Sequence, residues 1–565
     1  MNKENENGPI IYGKNAKARK GGGCALKRRH YEWMTPPEPI AEGEIVRRIS
    51  ADVVIVGAGH AGSCAARAAA EGGASVLVLE KQKGQKTQAI MGNEVGVLNS
   101  EFGLARGVPR YDPMEFQLDW QVRTQNRTNP DLIRQFARHS GEVMDWFLRP
   151  LSQEFLDTIR LYMTPPPEAY LKNICYNGYR SFLGTHLFYE KGYRLPDALR
   201  ATQDEAMAHG AQFFYGRSAC RTVKTGGRVT GVIARNADGE YELFEGARAV
   251  VLAAGDCNRN GQMVHDLYQE LAETFGEDAD LRGMGLGDGS GIQMGIWAGG
   301  HIQPGPRAAM SPSLSFMAGG FSGTAFLRLN RLGKRYGNEG IMGAFGAGLL
   351  TNLQPEGFIS AVFDSDYLAE LYDQAPDHTN VNVRWPEILA RIERDMADIC
   401  AAGTRGEPMH GTTNLDDGDK KRSVPLYCAD TLEELGACLG YSGQTLENFL
   451  QSIARYNELC ALGRDEDYCK DPRQMHAITK PPFYGCSTKL PIPIGPMATL
   501  SGVMVDENQQ VIDDHGDPIP GLYATGNNSG GRFAIQYSTP IAGVSIGMAM
   551  TLGKLLGDHL AGLAP

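Results

Sequence analysis

No run of about 18 consecutive apolar residues occurs in this 565-residue chain, so no membrane-crossing helix is expected. Positive charge is in deficit. Lys+Arg number 55 against 66 Asp+Glu, a formal net charge of −11, which argues against a general nucleic-acid binder. Eleven cysteines are present, but none stands in a CxxC, CxxCH or Cys/His ligand spacing. A metal site, an iron–sulfur or haem domain and a dithiol redox centre are therefore not expected. Scattered free thiols fit a reducing, cytoplasmic setting. Arg28-Arg29 is followed by Tyr31-Glu32-Trp33-Met34-Thr35-Pro36-Pro37, where an export signal needs an apolar stretch. Residues 1–49 read as a tail, its first 40 flexible or draped over the surface.

What the chain has in excess is glycine, 70 residues in short clusters without a repeat. Clustered glycine marks backbone brought close to a ligand. The length predicts two domains, and the 42% hydrophobic and 21% charged content fits a globular enzyme.

One cluster sits in an informative setting. Ala51-Asp52-Val53-Val54-Ile55-Val56 is a short, β-branched apolar run, the pattern of a buried parallel strand. It leads into Gly57-Ala58-Gly59-His60-Ala61-Gly62, then an alanine-rich helical stretch, Ser63 to Glu71. A second apolar strand, residues 74–79, ends at Glu80. This is a dinucleotide-binding fingerprint. Gly57 allows the turn, Gly59 lets backbone approach a pyrophosphate, and Gly62 lets helix and strand pack closely. The helix N-terminus favours the anion, and Glu80 can accept from ribose hydroxyls. His60 reads as a spacer facing solvent or the cofactor edge.

Two distant returns follow. Val250-Val251-Leu252-Ala253-Ala254-Gly255 comes after a hairpin-like stretch at 227–234. Gly521-Leu522-Tyr523-Ala524-Thr525-Gly526-Asn527 precedes a small-residue helix from Gly543 to Leu556. A lone mononucleotide unit would need neither.

With these marks the chain resembles the fumarate reductase/3-ketosteroid dehydrogenase flavoproteins from about Asp52 onward. The resemblance rests further on Gly287-Asp288-Gly289, the run Leu329 to Glu339, Phe363-Asp364, Ala429 to Leu435, Arg455-Tyr456-Asn457, Pro481 to Gly485 and Pro518 to Ala524. It implies an α/β fold in which a Rossmann-type FAD-binding domain is split into N- and C-terminal parts around an inserted α+β capping domain. The parts would be residues 50–300 and 486–565, with the cap at 301–485. It implies FAD as cofactor, held by Gly57, Gly59, Ala61, Gly62, Glu80, Lys81 and Gly92, by Ala219, Ala254, Gly255 and Asp288, and by Asn527, Ser545 and Ile546.

Within that group the fumarate branch clamps a dicarboxylate with cations. Here Gly340-Ile341-Met342-Gly343 replaces its arginine-bearing segment, and Tyr537 in Gly530-Gly531-Arg532-Phe533-Ala534-Ile535-Gln536-Tyr537 stands where its late arginine falls. A buried dicarboxylate needs cationic partners, so fumarate is disfavoured. Gly526-Asn527, Tyr537 and Gly547-Met548-Ala549-Met550-Thr551 are closer to the ketosteroid dehydrogenase branch. The resemblance implies hydride transfer between flavin N5 and a C=C conjugated to a carbonyl. Tyr537, with the Gly543 N–H, would stabilise the developing enolate. Tyr189 or Tyr193 would serve as acid or base for the α-proton. The expected substrate is apolar and ring-like, such as a 3-oxo steroid or another polycyclic enone. Phe316, Met317, Phe321 and Phe326 fit such a substrate, or ordinary core.

Three alternatives stay open. An acrylate-type monocarboxylate or fumarate-like acid could be reduced, with Arg532 as its clamp. The same site could run as a dehydrogenase. The chain could also be a non-catalytic, redox-sensing flavin module. A separate, unidentified electron donor or acceptor is expected, because no second nucleotide fingerprint occurs. Glu339 reads as part of a proton relay or as an ion-pair partner of Arg335, and residues 465–474 as a solvated charged loop.

Overall fold

The computed structural model describes residues 29–88, 92–161, 175–176, 178–276, 278–283, 285–310, 324–342, 354–373, 385–410, 421–489, 496–537 and 539–562. The first group of elements is β1 (Ile45–Val56), α1 (His60–Glu71), β2 (Val76–Glu80), β3 (Glu94–Gly96), α2 (Pro130–Leu148), β4 (Thr185–Leu187), α3 (Leu195–Ala208), β5 (Gln212–Tyr215), β6 (Ser218–Thr225), β7 (Arg228–Arg235) and β8 (Tyr241–Leu252). A second group holds β9 (Leu327–Asn330), β10 (Phe358–Phe363), α4 (Pro386–Ala402), β11 (Glu407–His410), β12 (Lys421–Ala429), α5 (Gln444–Leu462) and β13 (Phe483–Lys489). The chain then adds β14 (Gln510–Ile512), β15 (Pro518–Ala524) and α6 (Val544–Ala561).

The main sheet runs β14-β15-β8-β1-β2-β5, with β7 on β8 and β6 on β7. The core pairs β8–β1, β1–β2, β2–β5 and β8–β15 are all parallel. Strands from both ends of the chain thus share one sheet. Residues Val53 to Val56 are buried on both faces, which is why that run lacks strand-like alternation. Val53 and Ile55 pack with Ala65, Ala69, Leu556 and Leu560. Val54 and Val56 pack on the opposite face with Ile292 and Val503.

α1 and α6 cross closely because small residues meet. A Cβ on Gly553 would lie 2.3 Å from the Ala61 oxygen, and one on Gly557 2.4 Å from the Ala65 oxygen. This packing ties the last helix to the first.

The second group forms an antiparallel sheet, order β9-β10-β13-β12-β11. Its core continues into that of the first group. Phe363, Trp385 and Tyr484 cluster with Phe136, Phe182, Tyr189 and Tyr537. The two groups also join where Ala309 and Met310 pair with Thr499 and Ala498.

Four sequence expectations need adjustment. Helix α1 begins three residues earlier than the alanine run, at His60, and α6 runs on to Ala561. Within the tail, Trp33 is buried. Its indole donates to Asp266 at 3.0 Å and the Tyr31 hydroxyl donates to the Asp266 carbonyl at 2.7 Å, so this part is docked. Residues 465–474 are not simply solvated. Asp465 and Lys470 are buried, and Arg335 forks onto Asp465 at 2.7 Å and Glu339 at 2.8 Å. The charged run is hydrophilic because it completes an internal ion-pair network. Glu339 therefore takes the ion-pair role, and Lys470 lies 3.7 Å from it.

Candidate active site

A cavity of about 560 Å³ opens at the carboxyl ends of β1, β2, β8 and β15, lined there by Gly57, Glu80, Ala254, Gly255, Gly526 and Asn527. Parallel α/β sheets place ligands at this edge, because the strand ends leave a crevice there.

The glycine loop shows three separate reasons for glycine. Gly57 has φ +105°, and a Cβ on it would sit 2.4 Å from the Ala253 oxygen. A Cβ on Gly62 would sit 1.9 Å from the Gly57 oxygen, so Gly62 serves packing and is not a wall of the cavity. A Cβ on Gly59 would meet nothing within 4 Å. Gly59 lines the cavity and caps α1 with no side chain, leaving the first-turn N–H groups open to an anion.

The acid at the end of β2 is held in place. Glu80 Oε2 accepts from the Ala58 N–H at 3.0 Å and Oε1 from the Gln82 N–H at 2.9 Å. Next to it Lys81 pairs with Asp288 at 2.8 Å. Burial pushes the Asp288 carboxyl up, but Lys81 and the Ser290 hydroxyl outweigh it and hold the group below its usual range. Arg217, also in the wall beside Ala219, is bound to Glu242 at 3.0 Å. Both cations of this part already have carboxylates.

The other part of the cavity is different in character. Its walls include Tyr189, Tyr537, Met310, Met497, Glu94 and Gly543, with Ser545 and Ile546 from the start of α6. Gly543 takes φ +77°, and a Cβ there would lie 2.5 Å from the Glu94 oxygen, so β3 and the start of α6 are in contact. Gly92 has φ +88° and would place a Cβ 2.5 Å from Ile546 Cδ1. Tyr537 is buried, its ring 5.5 Å from that of Phe533. The Tyr189 hydroxyl donates to the Glu94 carboxylate, and both side chains are buried. Burial, and then the charge of Glu94, push the Tyr189 phenol well above its ordinary value, so it stays neutral.

Of the residues expected from sequence, Gly57, Gly59, Ala61, Glu80, Lys81, Gly92, Ala219, Ala254, Gly255, Asp288, Asn527, Ser545 and Ile546 line this one cavity, as do Tyr189, Tyr537, Gly543 and the spacer His60. Two do not. Tyr193 is half-exposed, edge-on to Phe155 at 5.3 Å with its hydroxyl on Glu154, and stands outside the cavity. Arg532 is completely buried, not a surface residue, and is not among the residues of the wall. Phe326 belongs to the shared core, stacked on Phe363 at 4.0 Å. Phe316, Met317 and Phe321 lie outside the described residues. Glu94 was missed. Its signal was present: one carboxylate at the head of the apolar run Glu94-Val95-Gly96-Val97-Leu98.

The chain belongs to the FAD-binding domain family, whose model matches residues 52–540. It is an FAD-dependent oxidoreductase acting on CH–CH groups, related to the fumarate reductases and 3-ketosteroid dehydrogenases. It is 26% identical over 541 residues to vinyl phenol reductase of Lactiplantibacillus plantarum, covering 92% of this chain and 97% of that one. It is 26% identical over 578 residues to digoxin reductase of Eggerthella lenta, covering 96% and 93%. Among solved structures it is similar to a 3-ketosteroid-Δ4-(5α)-dehydrogenase of Rhodococcus jostii, with TM-score 0.63 and 20% identity over 94% of this chain and all of that one. The site fits FAD: the cradle at Gly59 is open, an acid stands at the end of β2, and a helix N-terminus faces the cavity from each end of the chain. No helix among the described residues is long and apolar enough to cross a membrane.

Proposed function

We propose that this chain transfers hydride between its flavin and a C=C bond conjugated to an oxygen function in a neutral, apolar substrate: a 3-oxo steroid or related polycyclic enone, or a vinyl phenol. One observation carries the reading. Two neutral phenols, Tyr189 and Tyr537, stand in the walls of one cavity with Met310 and Met497, while the cationic wall residues Lys81 and Arg217 are already paired.

FAD, held by the glycine loop, Glu80, Asn527 and the start of α6, supplies the hydride chemistry. Tyr537 donates a hydrogen bond to the substrate oxygen, with the Gly543 N–H beside it, where negative charge develops. Tyr189 handles the proton. In the saturating direction the Tyr189 hydroxyl delivers its proton to the α-carbon and is reprotonated from solvent by way of Glu94. In the reverse direction Tyr189 takes the α-proton as its own passes to the Glu94 carboxylate, the arrangement seen here. The span 301–485, of which Met310 stands in the cavity wall, would serve as the cap, and a separate carrier exchanges the electrons.

Two relatives carry names that support a neutral substrate, vinyl phenol reductase and digoxin reductase, while fumarate reductase and NADH:acrylate oxidoreductase are named for acids. The carboxylate reading used Arg532 as its clamp, and Arg532 is buried behind the wall residue Asn527 and is not itself in the wall.

The test is flavin reoxidation. The purified protein is reduced anaerobically and offered 4-androstene-3,17-dione, 4-vinylphenol, cinnamate and fumarate separately. Reoxidation by either neutral compound, lost in Tyr537→Phe, is expected. Reoxidation by fumarate or cinnamate alone would overturn the reading. Reoxidation by none, together with inert saturated ketosteroids, would favour a non-catalytic flavin module.

A further inference from the structure

Arg532 is completely buried. Its Nη2 donates to Asn527 Oδ1 at 2.9 Å, while Nε and Nη1 meet no hydrogen-bond partner among the described residues. The guanidinium sits 5.3 Å from the Phe533 ring centroid, and the Trp120 indole donates to the Arg532 carbonyl at 2.9 Å, fixing the backbone. Among the described residues no carboxylate forms an ion pair with it, and Tyr537 is close enough to act on it electrostatically. Burial lowers its pKa to about 10, so it remains charged at neutral pH.

Two other enclosed arginines among the described residues each hold a carboxylate: Arg335 has Glu339 and Asp465, and Arg67 has Glu71 at 2.7 Å. A buried charge without a partner is unfavourable, and it persists where a negative charge appears during function. Arg532 has two neighbours in the cavity wall, Asn527 and Tyr537. Its field therefore enters the cavity through a medium that screens it poorly.

We propose that Arg532 is the counter-charge for the anion that FAD becomes on reduction, a positioning residue that raises the flavin's affinity for electrons. Uptake of two electrons and one proton leaves the bound flavin with one additional negative charge. An unpaired guanidinium behind Asn527 favours that state over the oxidised one. It acts on the cofactor's equilibrium and grips no substrate, so the inference stands apart from the choice of substrate above.

The test uses the full-length flavoprotein and no substrate. Midpoint potentials are measured by dye equilibration for wild type, Arg532→Met and Arg532→Lys, and each oxidised protein is titrated with sulfite. Sulfite adds to oxidised flavin and creates the same negative charge. Wild type is expected to form the adduct. Arg532→Met is expected to lower the reduction equilibrium about tenfold or more, ~30 mV for a two-electron couple, and to weaken sulfite binding at least as much. Arg532→Lys should stay near wild type. Since an apolar side chain of similar volume removes an uncompensated buried charge, Arg532→Met should melt no lower than wild type. A structural arginine would give the opposite split, lower melting with unchanged potential, and that result overturns the proposal. So does a wild type that forms no sulfite adduct, or a lysine variant that behaves like the methionine one. If Arg532→Met does not retain FAD, Arg532→Gln takes its place, and the wild-type titration still decides.

Discussion

The Tyr189 hydroxyl donates to the Glu94 carboxylate across two strands that pair antiparallel, Glu94 opposite Leu187. Tyr189 lies two residues past Leu187, and Glu94 heads its own strand. The strand register brings together two side chains 95 residues apart. A neutral phenol against a carboxylate inside a closed wall is the arrangement a proton relay requires.

Replacing either member should uncouple that relay. Glu94→Gln and Tyr189→Phe should each slow flavin reoxidation by substrate about 10²–10⁴-fold. Tyr189→Phe combined with Glu94→Gln should lose little more than one alone, because they act as a unit. Stopped-flow reoxidation rates decide it. Multiplicative losses in the double variant would mean independent roles.

In the proposed function Tyr537 acts on the substrate oxygen and not on the cofactor. Tyr537→Phe should lower the hydride-transfer rate about 10²–10³-fold, with flavin content and midpoint potential unchanged. A shifted potential with an unchanged rate would place Tyr537 on the flavin side.

The two glycines of the loop should fail differently. Gly59→Val adds a side chain where nothing lies within 4 Å, at a negative φ of −75°. The protein should fold with wild-type melting and carry little flavin. Gly62→Ala forces a Cβ to 1.9 Å from the Gly57 oxygen, which should destabilise the fold by about 1–3 kcal/mol or more. Flavin absorbance per polypeptide, beside a thermal melt of each variant, separates the two failures.

Asp256, in the cavity wall, is enclosed, and burial pushes its carboxyl up to about 6, only partly opposed by donors such as the Thr499 N–H at 2.6 Å. Between the ordinary carboxylate value near 4 and about 6, the folded state keeps a proton that the unfolded chain has released. Stability therefore falls as pH rises through that window, by roughly 3 kcal/mol in all. Buried His186, lowered to about 4 chiefly by burial, runs the other way, because there the unfolded chain holds the extra proton. The two slopes oppose, so the informative quantity is a difference. The urea midpoint of Asp256→Asn should rise relative to wild type from pH 4 to pH 6. A difference that stays constant over that range would contradict the assignment.

The sequence by itself determined the parts whose signals are local. A β-branched run, glycines at fixed offsets, an alanine helix and a terminal acid specify a nucleotide-binding unit, since turn, approach and packing each act within a few residues. Strands at 250 and 522 could be recognised in the same way, and the family resemblance implied that they share one domain with the first. The tertiary structure decided everything that depends on pairing between distant segments. It put Tyr189 in the cavity wall on Glu94 and Tyr193 outside that wall. It enclosed Arg532, whose carbonyl accepts from the Trp120 indole and whose guanidinium lies beside Phe533. It also moved Asp465 and Lys470 indoors. A charged residue has the same local pattern whether it meets water or a buried partner, and only packing determines which.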